Sequence, residues 1–182
     1  AFYDPHDGIR HRGALSLLGR LKRATEAGDL VIAVQPQIDV DSRAVRAVEC
    51  LLRWRQPDKS LTSPIEFVPF AEETGYIRTI TRHVISDALR LSAEWRAQGC
   101  DMPMAVNISS RDLQDDQLAE FISAELDRHG VAPDHLSLEI TESALMEAPA
   151  LAVTSARRLA DAGVALSVDD FGTGYSSLAY LT

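Results

Sequence analysis

A chain of 182 residues, 46% apolar and 25% charged, has the composition of one globular domain with a real core. Its formal charge of −9, from 18 basic and 27 acidic residues, argues against a general binder of nucleic-acid backbones, which carries a basic surface. No apolar run approaches the ~20 residues of a membrane span, no signal peptide is visible, and the opening "AFYDPHDG" lacks Met, as expected of a piece of a longer protein.

In chain order, "ALSLLGRLKRATEAGDL" places Leu15, Leu18, Leu21 and Ala24 or Thr25 at helical spacing, with Gly28 as the stop. A strand is expected over "LVIAVQPQIDV", a turn at "DSR", and a second strand over "AVRAVECLLRW", ending near Arg53. "TSPIEFVPFAEETG" reads as the opening of a helix, with Ser63 as N-cap, Pro64 first and Glu66 as the reciprocal capping partner. "RTITRHVISDALRLSAEWRAQG" is a longer amphipathic helix ending at Gly99, with Val84, Ala88, Leu91 and Trp95 along one stripe. Strands and helices then alternate. "MPMAVNIS" is a strand, "DLQDDQLAEFISAELDRHG" a helix, "HLSLEIT" a strand, "PALAVTSARRLADAG" a helix and "VALSVDDF" a strand. Such alternation means βα units with mostly parallel pairing. The strands read as apolar on both faces, with helices over one and a packed interior behind the other.

Polar residues interrupt these strands at one kind of place. Glu49, Asn107, Glu139, Asp169 and Asp170 each fall late in a strand, the end at which α/β sheets and barrels build sites. All five offer oxygen, the ligand type of Mg²⁺ or Mn²⁺. Taken singly, each reads first as a helix cap or a solvated strand end. Across four consecutive strands, that reading and a metal site weigh about equally on pattern alone. Asp169 and Asp170 would point to opposite faces of a regular strand. The following "FGTG" supplies a bend that lets both face one site, and paired carboxylates suit a two-metal centre.

The remaining residues carry less. His6, His11, His83, His129 and His135 read as surface residues rather than ligands. Cys50 and Cys100 have no metal or redox spacing and read as free thiols. Cys50 faces away from Glu49 and reads as core. Arg53 and Arg55 flank Trp54 as solvated strand ends, with a phosphate contact as the alternative for Arg53.

The stretches "VQPQIDV", "VECLLRWRQP", "FVPFAEETGYI", "VNIS", "LEITES" and "DDFGTGYSSL" resemble, in order and over residues 30–181, the EAL domain. That is the phosphodiesterase domain of bacterial cyclic di-GMP signalling. "AFYDP" and the helix after it resemble the junction following a GGDEF domain. Residues 1–29 therefore read as an interdomain linker and helix, and 30–182 as the N-terminal portion of an EAL domain. The resemblance implies an α/β TIM-like barrel with an antiparallel first strand, of which five strands are present. It implies metal-ligand roles for Glu49, Asn107, Glu139 and Asp169, and a second-metal role for Asp170, with Glu49, Asp169 and Asp170 catalytic. It implies that Gln35 contacts guanine and Arg53 a phosphate. Glu142 resembles the anchor of a lid loop formed by Phe171, Gly172, Thr173, Gly174, Tyr175 and Ser176, which couples metal binding, dimerisation and activity.

The implied reaction is hydrolysis of cyclic di-GMP to linear pGpG with two divalent cations, Mg²⁺ or Mn²⁺. The implied setting is a homodimer with a GGDEF domain in cis and no DNA or RNA partner, in the cytoplasm or on the cytoplasmic part of a membrane-anchored parent. Two departures bear on this. The signature reads Glu-Cys-Leu rather than Glu-Ala-Leu, which a small apolar Cys50 tolerates. The family also continues for three more strands, carrying a catalytic lysine and further acidic residues, whereas this chain stops at Thr182. The isolated polypeptide is therefore expected to be inactive, with an open interior. The alternatives are a non-catalytic module that binds cyclic di-GMP or a protein, and an unrelated Mg²⁺-dependent barrel enzyme.

Overall fold

The structure, a computed structural model, describes residues 5–147 and 149–169. A 23-residue helix, α1 (Pro5–Ala27), leads in and ends where Gly28 adopts φ 71°. Leu21 and Ala24 are buried, with Leu17 packed beside them. The chain then forms β1 (Leu30–Ile38) and returns antiparallel as β2 (Val45–Arg55), which runs two residues past the expected end at Arg53. In the turn between them, the Asp39 carboxylate accepts from the Ser42 backbone (2.7 Å) and hydroxyl (2.6 Å). A two-residue strand, β3 (Leu61–Thr62), pairs with the end of β2. The strands β4 (Met104–Asn107), β5 (Leu136–Thr141) and β6 (Ala165–Asp169) follow in parallel with β2.

The order is β1-β2-β4-β5-β6, with β3 beside β2, so the described sheet has six strands rather than the expected five. It is an unclosed portion of a TIM-like barrel whose first strand is antiparallel. One face carries the core. Val48, Cys50, Trp54, Met104, Val106, Leu136, Leu138 and Ile140 are all buried on it. Each large apolar side chain among them contributes about 1.5–3 kcal/mol by leaving water. The other face holds Ala47, Ala105, Ser137, Thr141 and Ser167 around the polar positions. The strands are thus not apolar on both faces. The apolar row faces outward under the helices, and the interior is lined mostly by small or polar side chains, with Val31 and Leu51 among them.

The helices depart from the sequence reading in several places, among them an earlier start for α1, at Pro5 rather than Ala14. No helix starts at Pro64. Pro64–Glu66 is a 3-10 turn, Ser63 makes no side-chain cap bond, and the α-helix α2 (Val68–Glu73) begins afterwards with a proline in its first turn. The reason is Pro69. In a helix begun at Pro64 it would be interior, without an N–H and against the Ile65 carbonyl. In the first turn it costs nothing.

In α3 (Ile77–Ala97) the buried stripe is Ile77, Ile80, Thr81, Val84, Ile85, Ala88, Leu89 and Ser92. Leu91 and Trp95, expected on that stripe, lie half-buried at its rim. The single helix expected after β4 is two, α4 (Ser110–Leu113) and α5 (Leu118–His129). Between them the Asp115 carboxylate accepts from the Gln117 backbone N–H (3.1 Å), a local bond that competes with helix. The capping box belongs to α4. Ser109 accepts from the Asp112 N–H, and the Asp112 carboxylate accepts from the Ser109 N–H (2.7 Å) and hydroxyl (2.6 Å). A short helix, α6 (Glu142–Glu147), precedes α7 (Pro149–Asp161). Gly163, at φ 79°, then abuts the turn before β5, where a Cβ would stand 3.1 Å from Pro133.

At the amino ends of the strands, His135 joins two connections. Its ring lies 3.0 Å from Asp134 and 3.1 Å from Asp101, which precedes β4. The hydrogen bond to Asp134, with further help from Asp101, holds the imidazole above its ordinary value. A raised histidine pKa stabilises the fold fully below the unfolded value near 6.5 and ceases to do so as pH rises through the folded value. Urea unfolding is therefore expected to show stability falling from pH 6.5 upward, and His135→Gln to flatten that slope. An unchanged slope would remove His135 as its source.

Candidate active site

The pairing register decides which side chains meet. Glu49 stands opposite Gln35 on β1 and in register with Ala105 on β4. Asn107 lies two residues beyond Ala105 and pairs with Glu139 on β5, which pairs with Ser167 on β6. Asp169 lies two residues beyond Ser167, opposite Thr141. Side chains two apart share a face. Gln35, Glu49, Asn107, Glu139 and Asp169 therefore share the interior face, toward the carboxyl ends of β2, β4, β5 and β6. Arg53 is on that face too, four residues after Glu49, or about 13 Å along the strand.

Two amide–carboxylate pairs organise the cluster. The Asn107 Nδ2 donates to Glu49 Oε1 at 2.6 Å. The Gln37 Nε2 donates to Glu139 Oε1 at 3.0 Å. A backbone bond, from the Ile108 N–H to the Glu139 carbonyl (2.8 Å), extends the β4–β5 pairing past Asn107. Arg53 bonds the Leu52 carbonyl at 2.8 Å. Glu142, the first residue of α6, is buried at 7% exposure. Asp170 and the lid positions Phe171 to Ser176 lie outside the described residues.

The electrostatics of the cluster are those of crowded anions. Burial pushes the Glu139 carboxyl up, the Gln37 bond opposes this, and Glu49 and Asp169 push it further up. Burial, with the same Glu49 and Glu139 charges, pushes the Cys50 thiol up to about 12, so Cys50 is an inert core thiol. Among the described residues, no three His, Cys, Asp or Glu side chains are close enough, as they stand, to hold one ion. The donor set still fits a hard divalent cation. Its side chains offer oxygen, and Glu139 is raised first by burial and then by the like charges of Glu49 and Asp169, which a cation would offset.

A cavity of about 280 Å³ opens beside the cluster, because β2 runs on past Cys50 while β4 ends at Asn107. It runs from Asn107 and Thr141 at the strand ends to the space between the sheet and the helices α2 and α3, where Leu52, Val68, Ile80 and Val84 give it mostly apolar walls. The site residue absent from the sequence reading is Gln37. Its signal was present in "QPQ", where Gln37 shares the face of Gln35 by strand alternation. His83, His129 and His135 stay outside the site. The His83 ring, for one, lies 2.9 Å from the Leu30 carbonyl.

Fold and site together define a TIM-like α/β barrel domain with oxygen-bearing side chains gathered on the interior face of its strands. The chain belongs to the EAL domain family, which matches residues 18–182. It is 37% identical over 181 residues to the bifunctional diguanylate cyclase/cyclic di-GMP phosphodiesterase MucR of Pseudomonas aeruginosa, covering 99% of this chain and 26% of that protein. It is 38% identical over 161 residues to the cyclic di-GMP phosphodiesterase PdeR of Escherichia coli, covering 88% of this chain and 24% of that protein. The structure of the PaMucR phosphodiesterase in complex with c-di-GMP superimposes with a TM-score of 0.84 at 39% identity, covering 91% of this chain and 68% of that one. The chain thus spans about a quarter of the length of these two curated relatives.

Proposed function

We propose that this chain is part of a cyclic di-GMP phosphodiesterase domain that hydrolyses the dinucleotide to linear pGpG. The observation that carries the reading is the gathering of Glu49, Asn107, Glu139 and Asp169 from four adjacent strands on one face. Relatives named as cyclic di-GMP phosphodiesterases support the substrate. In this reading Glu49, Asn107, Glu139, Asp169 and Asp170 hold two divalent cations, Mg²⁺ or Mn²⁺. Such cations supply a polarised phosphoryl oxygen and an activated water when bound. Gln35 and Arg53 hold the substrate, Gln35 at a guanine and Arg53 at a phosphate, where a guanidinium forms charge-assisted bonds. Glu142 anchors the loop segment Phe171 to Ser176. The domain works as a homodimer, in cis to a GGDEF domain, in the cytoplasm.

The second reading is a module that binds cyclic di-GMP without cleaving it. The apolar cavity beside the cluster suits a base in either case. The test is incubation of the full-length protein containing this chain with cyclic di-GMP, with and without Mn²⁺, and separation of the products. The expected result is linear pGpG with Mn²⁺ and none with EDTA. Retention of intact dinucleotide on the protein without turnover would establish the binding module instead.

A further inference from the structure

We propose that Gln37 is a positioning residue of the cation site: it holds Glu139 from across the barrel interior, occupying Oε1 with a neutral amide and leaving Oε2 for the cation. The inference rests on the metal-dependent reading above. Gln37 is on β1 and Glu139 on β5, with β2 and β4 between them. The 3.0 Å bond therefore crosses the interior of the curved sheet rather than joining neighbouring strands. Small side chains leave room for that crossing. Gln37 pairs with Ala47 on β2, and the β4 residue two before Asn107 is Ala105. A branched side chain at either position would stand in the path of the amide.

The chemistry of the donor matters as much as its reach. A lysine or arginine at position 37 would satisfy the Glu139 oxygen but would also neutralise its charge and repel a cation. A glutamine occupies one lone pair, fixes the rotamer and keeps the full negative charge. Asn107 stands in the same relation to Glu49, with its amide on Oε1 at 2.6 Å. Each glutamate of the cluster thus has one oxygen held by a neutral amide. Partners of metal-ligating groups that lie one bond further out typically change metal affinity by roughly 10–100-fold when removed.

The test is Mn²⁺ titration by calorimetry on the full-length protein, without nucleotide, for wild type, Gln37→Met, Gln37→Lys and Glu139→Gln. Methionine and lysine are both unbranched and close to glutamine in length, and melting without metal reports whether each variant folds. Glu139→Gln defines the binding that belongs to this site. Gln37→Met is expected to weaken that binding by roughly 10-fold or more, with melting close to wild type. Gln37→Lys, which still donates, is expected to weaken it at least as much. Wild-type affinity in Gln37→Met overturns the proposal, and so does restoration of affinity by Gln37→Lys, because any donor would then suffice. If Glu139→Gln itself leaves Mn²⁺ binding unchanged, the metal reading of the cluster falls and this inference with it.

Discussion

Glu49→Gln is expected to reduce hydrolysis of cyclic di-GMP by about a thousandfold in the full-length protein, mostly in kcat. The substitution keeps the shape of the side chain and an oxygen that can accept from the Asn107 amide, the one bond described to Glu49. It removes the charge. Bound metal contributes several kcal/mol of transition-state charge stabilisation, and about 4 kcal/mol corresponds to a thousandfold. The fold should hold, because Glu49 is half-buried and its neighbours in register are Gln35 and Ala105. Steady-state rates at saturating Mn²⁺, beside a melting curve, give the answer. Turnover above a tenth of wild type would take Glu49 out of the ligand set.

The largest expected effect on stability is at Trp54. Trp54→Ala should lower the unfolding free energy by about 3–5 kcal/mol, the usual cost of emptying a buried aromatic site. Trp54 is 6% exposed. Its ring meets Phe67 edge-on at 5.6 Å and 81°, and the Arg20 guanidinium of α1 lies 4.8 Å from its centre. One residue thus joins α1, β2 and the segment before α2. Domains are stable by about 5–15 kcal/mol in total, so this loss would be a large share. Urea unfolding of wild type, Trp54→Phe and Trp54→Ala should give a graded series. A loss below about 1 kcal/mol for the alanine would mean that the three elements pack well without it.

Much of the fold was legible because its signals are local. Gly28, Gly99 and Gly163 all take positive φ at the ends of helices, as read. The strand over "HLSLEIT" was read where Leu136–Thr141 forms, but the alternation of Leu136, Leu138 and Ile140 with polar neighbours, which leaves one face buried, was read as apolar on both. The failures have local causes as well. Ser63 and Glu66 have the spacing of a capping box, but Pro69 forbids the helix they would cap. Ser109 and Asp112 carry the box that forms, inside a stretch read as strand followed by helix.

The site was legible in part. Polar residues read as late on successive strands marked Glu49, Asn107, Glu139 and Asp169, and the register put them on one face, although Glu49 lies mid-strand because β2 runs on to Arg55. Gln37 was missed because its partner is 102 residues away across the interior. No periodicity reports a contact that depends on sheet curvature.

The direction of β1 has a consequence for how this barrel is addressed. In an ordinary TIM barrel the chain enters at the amino ends of the strands, remote from the loops that do chemistry. Here Leu30, the first residue of β1, stands opposite Trp54 at the carboxyl end of β2. Helix α1 therefore reaches the sheet at the rim that carries Arg53, seated by Leu21, by Arg20 over Trp54 and by the Tyr76 hydroxyl bonded to Thr25 (3.1 Å). The leading helix is thus seated, through core residues Leu21 and Trp54, at the same end of the sheet as the site and not at the far end.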